Sequence, residues 1–165
     1  MSLKRINLIC LLTFLLLPGF FKGIMAQSKQ LTCFDSLTKA LFAGEEVRVV
    51  IHFGKCRMTG EGAEPEKPKN AVTGMAIDTY EYFGEGFRPG SKPFLSFSES
   101  KLIRNPLGKG YVINYGKVKV LANDSVTITA QYLKPGRHKV LMDATFRGKI
   151  SNGTNGGGVC FFTGN

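Results

Sequence analysis

Between Leu31 and Phe42 apolar residues recur three and four positions apart, at Leu31, Phe34, Leu37 and Leu41. This spacing predicts a short helix with one buried face, while Asp35, Thr38 and Lys39 point away from it. Gly44 ends the helix. From Glu46 the period changes to two: Val47, Val49, Ile51 and Phe53 alternate with Arg48, Val50 and His52, the pattern of a half-buried strand that runs toward Cys56. Met58 to Asn70 is rich in Gly, Glu, Pro and Lys, has no apolar period and reads as a loop.

The rest of the chain continues in strand-like stretches. Ala71 to Phe83 predicts a second strand ending at the Gly84-Glu85-Gly86 turn, and Phe94 to Phe97 a short third one. Leu102 and Ile103 follow before a break at Asn105-Pro106-Leu107-Gly108. Tyr111 to Leu133 reads as a long antiparallel hairpin reversing at Ala122-Asn123-Asp124-Ser125, with Asn114, Lys117, Lys119, Thr127 and Thr129 on its wetter face. The alternation changes phase at Gly116, which predicts a bulge there. A Lys134-Pro135-Gly136-Arg137 turn leads into a strand from Lys139 to Phe146. Ser151 to Gly158, nearly all Asn, Gly, Ser and Thr, reads as too flexible to hold structure, and Val159 to Thr163 as the last strand. The expected fold class is α+β and mainly β. An N-terminal helix packs on a curved, mostly antiparallel sheet of about seven strands, curling around the helix or toward a barrel.

The first 26 residues change the picture of the compartment. Lys4 and Arg5 precede an apolar run from Ile6 to Phe21, then Lys22 and a small-residue site at Ala26. This predicts a secretory signal peptide cleaved before Gln27, with no membrane-spanning segment left afterwards. A retained anchor is the competing reading, because the run approaches the length that spans a bilayer. Residues 27 to 165 then form a single domain.

Charge narrows the partners. The sequence has 22 Lys+Arg and 12 Asp+Glu. Losing Lys4, Arg5 and Lys22 leaves 19 cations, a net charge of about +7 that attracts anionic surfaces. Nucleic acid, acidic glycans and phospholipid head groups all fit on charge alone, and export makes nucleic acid the one not expected.

Export also places the chain where disulfides persist, and Cys33, Cys56 and Cys160 follow the cleavage point. Three cannot all pair within one chain. A Cys56 to Cys160 bridge would tie the first and last strands together, closing a loop of about 100 residues and stabilising by up to about 4 to 5 kcal/mol. A Cys33 to Cys56 bridge would instead fasten the helix to its following strand. Both pairings are open at this point.

The order of features resembles a family. A signal peptide, a helix ending in Ala40-Leu41-Phe42-Ala43-Gly44, the strand Val47-Arg48-Val49-Val50-Ile51-His52-Phe53 running into Cys56, the Tyr111 to Val120 strand and a C-terminal Cys160 are similar to the VirK proteins. These are small exported bacterial proteins named from a virulence region, with a poorly defined biochemical role. The resemblance covers residues 31 to 163. It implies export to the periplasm or the extracellular space and an association with host-interacting bacteria. It also implies preference for Cys56 and Cys160 as the structural pair. It brings no catalytic residue.

Catalytic constellations are thin. Nucleophilic catalysis needs Cys or Ser beside His, and only His52 and His138 are available, His52 lying four residues before Cys56. Two histidines and three cysteines show no paired metal-ligand spacing. Among carboxylates, Asp78, Glu81, Glu99 and Asp143 are not marked out by context as an acid and base pair, and Asp78 and Asp143 must face water or meet a base such as Arg48 or Arg147. The glycines of Gly153 to Gly158 do not follow a strand and open a helix, so no phosphate loop is expected. Asn123-Asp124-Ser125 and Asn152-Gly153-Thr154 match the glycosylation pattern and read equally as turns. Basic residues interleave with aromatics at Lys109 to Lys119 and Arg137 to Arg147. The expectation is therefore a non-enzymatic exported module, without cofactor, that binds a protein or an anionic envelope or host component. The alternative is an envelope or secreted hydrolase using His52.

Overall fold

The computed structural model describes residues 28–59 and 70–164. The signal-peptide reading and most of the Met58 to Asn70 loop lie outside them. Among the described residues the fold is mostly β with one short helix, and ten strands form two antiparallel sheets and no closed barrel. Strand β1 (Gln30–Leu31) precedes helix α1 (Phe34–Phe42). Strands β2 (Val47–His52), β3 (Arg57–Thr59), β4 (Val72–Ala76) and β5 (Glu81–Phe83) follow. The long strands β6 (Phe94–Arg104), β7 (Tyr111–Leu121), β8 (Ser125–Leu133) and β9 (Val140–Lys149) come next, and β10 (Val159–Thr163) closes the chain. The smaller sheet has the order β1-β10-β2-β4 and the larger β3-β9-β8-β7-β6-β5.

One core fills the space between them. Val47, Val49, Ile51, Val159 and Phe161 from the smaller sheet meet Leu95, Phe97, Val118, Val120, Val126, Ile128 and Phe146 from the larger, and Phe97 and Phe161 pack edge to face. Helix α1 contributes Phe34, Leu37, Ala40 and Leu41. It closes the end at which β7 turns into β8: Asp124 in that turn receives the Phe34 amide, and Tyr80, just before β5, donates its hydroxyl to the Leu41 carbonyl. The helix stops where its sequence says it should, with the Gly44 amide returning to the Leu41 carbonyl and Gly44 at φ 76.

Several expectations need correction. The predicted second strand is two strands in different sheets, because the chain leaves β4 after Ala76, buries Ile77 and crosses through Asp78 and Thr79 to β5. The predicted third strand runs on through Ser98-Glu99-Ser100-Lys101 to Arg104. Gly116 is not a bulge: β6, β7 and β8 pair without interruption past it, and the irregularity falls in β9, where Leu141 is extra between the Tyr132 and Leu133 pairings. An uninterrupted register puts Asn114 on the inner face with Gly116 and Val118 rather than on the wet one. Thr38 is buried rather than turned to solvent, and its hydroxyl donates to the Phe34 carbonyl at 3.0 Å.

The loop from Ser151 to Gly158 is likewise built rather than slack. The Asn152 side chain accepts from the amides of Thr154 and Asn155, and Asn155 donates to the Ile150 carbonyl. Cys33, Cys56 and Cys160 are all free thiols in this structure, so neither pairing considered for them is formed. Cys160 alternates with the inward Val159 and Phe161 and faces away from the core opposite Val50, whereas Cys56 is buried against the Gly148 and Gly158 backbones. None of the described helices is long and apolar enough to cross a membrane.

Candidate functional site

Strand register decides which side chains meet. On the inner face of the larger sheet, the rows nearest the helix are apolar, as in Phe97, Val118, Ile128 and Phe146. The next row is Glu99, Gly116, Ala130 and Ala144, and the one after it Lys101, Asn114, Tyr132 and Met142. Small residues in the first of these let Met75 of β4 pack down, its terminal carbon 3.2 Å from where a Cβ on Gly116 would sit. Beside it opens a cleft of about 200 Å³ between the sheets, with Ile51, Phe53 and Thr73 on one wall and Ala130, Tyr132 and Met142 on the other. Two of the charged groups at its rim pair with each other: Lys101 Nζ lies 2.8 Å from Glu99 Oε1.

The sequence-derived catalytic candidates are not gathered there. His52 is half-buried at the end of β2, and the Cys56 thiol donates to its backbone carbonyl at 3.6 Å rather than to the imidazole. Burial pushes the Cys56 thiol pKa upward, the opposite of what an activated nucleophile needs. Asp78 and Glu81 are exposed near the edge at β5, Glu99 is paired with Lys101, and Asp143 accepts from Gln131 at 3.0 Å on β9. His138 sits in the β8 to β9 turn at φ 50. Among the described residues no group of three His, Cys, Asp or Glu side chains could hold a metal ion.

The outer face of the same sheet is different in character. Arg57, Arg147, Thr127, Lys119 and Ser96 are direct neighbours across β3, β9, β8, β7 and β6. The adjacent row is Thr59, Thr145, Thr129, Lys117 and Ser98. Alternation along each strand puts these ten residues on one surface: four cations spaced among hydroxyls, with no carboxylate among them. Glu81 continues the first row at the sheet's edge, opposite Ser96. The Lys119 ammonium lies 3.9 Å from the centre of the Phe94 ring, which holds it over the sheet. Against β5 the face deepens into a groove of about 290 Å³, lined by Thr79, Glu81, Ser96, Ser98, Tyr115 and Lys117. Cations flanked by hydroxyl donors suit oxyanions, since each oxygen can take a charge and a hydrogen bond together. The Lys109 to Lys119 interleaving seen in the sequence pointed at part of this face, but the alignment of Arg57 with Arg147 and Lys119 needs the strand order.

Comparison with known proteins bears on the family. No curated protein matches the chain. Among solved structures, it is similar to the crystal structure of a VirK family protein from Legionella pneumophila, with a TM-score of 0.64 and 17% sequence identity, covering 81% of this chain and 98% of that one. At that identity the likeness speaks for the fold. The model of the VirK protein family matches residues 30–138, from β1 to the turn before β9, and the chain therefore belongs to the VirK family.

Proposed function

We propose that this VirK family protein is an exported binding module, not an enzyme, whose outer six-stranded face engages an anionic partner in the bacterial envelope or outside the cell. The observation that supports it most is the cross-strand row of Arg57, Arg147 and Lys119, with Lys117 beside it. Like charges set side by side across a sheet repel one another and cost stability, so a row of them is best accounted for by a partner that neutralises it. Export rests on the leader-like first 26 residues, and the association with virulence on the family alone.

The test is retention on an immobilised sulfated polysaccharide, eluted with a salt gradient. Replacing Arg57, Lys119 and Arg147 by Glu is expected to move elution to clearly lower salt than the same charge change at Lys29, Lys39 and Arg88, which are exposed elsewhere. Equal shifts for the two triple variants would mean that net charge alone is felt and that the face is not a site.

A further inference from the structure

The two turns at the far end of the larger sheet combine charge with exposed apolar surface. The β6 to β7 turn (105–110) and the β8 to β9 turn (134–139) both project from the end opposite the β7 to β8 turn. On and beside them, Leu107 and Tyr111 are each 66% exposed, Leu102 65%, Val140 47% and Leu141 46%. On the outer face Leu102, Ile113, Leu133 and Val140 stand opposite one another across four strands, so these side chains form a connected patch. Arg104, Lys109, Lys134, Arg137 and Lys139 surround it, and residues 102–113 and 133–142 contain no Asp or Glu.

The turns are held rather than loose. The Asn105 side chain accepts from the Leu107 amide at 2.9 Å, and the Asn105 amide donates to the Gly110 carbonyl. In the second turn the Lys134 amide donates to the Lys139 carbonyl, and Gly136 takes the positive φ of 78 expected at the third position of a type II turn. Leu107 is therefore presented at little further cost in ordering.

We propose that this tip docks on an anionic phospholipid surface, an inference that rests on the anionic-partner reading and names the partner. A soluble polyanion would neutralise the cations and leave Leu102, Leu107, Tyr111 and Leu141 in water. An anionic bilayer takes both, with the apolar side chains at the boundary of head groups and acyl chains, tyrosine at head-group level and the cations against phosphate.

The experiment expresses the full chain, purifies the exported form and sediments it with vesicles of phosphatidylcholine, with or without phosphatidylglycerol. Binding is expected only with phosphatidylglycerol. It should fall roughly fivefold for each of Arg137→Glu and Lys139→Glu, and roughly tenfold for Leu107→Ser with Leu141→Ser. These four residues are exposed, and circular dichroism checks that the variants fold. The same proteins are run on the sulfated polysaccharide, where the leucine variants should behave as the parent. Retention there without vesicle binding would overturn the lipid assignment and leave the anionic reading standing, as would vesicle binding indifferent to Leu107 and Leu141. Binding to phosphatidylcholine alone as strong as to the anionic vesicles would overturn the role of the cations. Failure to bind either matrix would overturn both readings.

Discussion

The backbone amide of Phe34 donates to Asp124 Oδ1 at 2.7 Å, across 90 residues of sequence. The carboxylate of a hairpin turn thus serves as a cap for the first turn of α1, where free amides and the helix dipole favour negative charge. Within the chain, Ser36 Oγ accepts from the Cys33 amide and completes the start of the helix. Asp124 is itself at φ 64, a conformation that Asp and Asn tolerate better than most residues. One residue therefore shapes the β7 to β8 turn and fixes the helix over the end of the core.

Asp124→Ala should accordingly lower stability by about 1 to 3 kcal/mol, from loss of the cap together with strain at the positive φ. Asp124→Asn keeps an acceptor and the backbone preference and should cost less than half as much. Urea denaturation with an unchanged m-value checks both. Equal loss in the two variants would show that the charge, not the hydrogen bond or the turn, is what Asp124 contributes.

Cys56 is packed against two glycines, and they should respond differently to its removal. A Cβ on Gly148 would stand 2.9 Å from Cys56 Sγ, with its other neighbours at 3.5 Å or more. A Cβ on Gly158 would stand 2.8 Å from the same sulfur and also 3.0 Å from the His52 carbonyl oxygen. Each Gly→Ala change should cost about 1 to 3 kcal/mol through overpacking. Cys56→Ala removes the sulfur, so it should recover most of the loss at Gly148 and only part of that at Gly158, where a backbone atom remains in the way. Double-mutant cycles measure the difference.

Much of the fold was legible where one face is dry. The spacing of Phe34, Leu37 and Leu41 and the alternation of Val47, Val49 and Ile51 both reflect contact with one core. The reading failed where both faces meet water or a cleft: Ser98 to Lys101 shows no alternation because Glu99 and Lys101 rim the cleft while Ser98 and Ser100 lie outside. It failed also at Gly116, where half-buried Ile113 and Tyr115 on the outer face look like core residues in a period-two pattern. The change of sheet between β4 and β5 has no local signal beyond Asp78-Thr79. The basic face was visible as composition, but Arg57 and Lys119 are 62 positions apart and only pairing through β8 and β9 aligns them.

The free thiols offer the last prediction, on reactivity and pH. Cys33 and Cys160 are half-exposed while Cys56 is buried, and burial raises the Cys56 pKa because desolvation penalises the thiolate. Alkylation at pH 8 of the folded protein lacking residues 1–26, and with them Cys10, should therefore add two groups quickly, at Cys33 and Cys160, and the third only on unfolding. Intact mass reads the count; a Cys56 to Cys160 bridge would instead leave one reactive thiol until reduction. The same shift sets a direction for stability. Below the ordinary thiol pKa of 9.0 both states hold the proton and stability is full. Above it the unfolded chain releases the proton while the folded protein keeps it, so the unfolded state binds fewer protons and stability falls as the pH rises. Cys56→Ala should cost about 1 kcal/mol or more at neutral pH from lost packing, and should make stability decline less steeply above pH 9. An unchanged slope would show that the Cys56 thiol does not titrate differently in the two states.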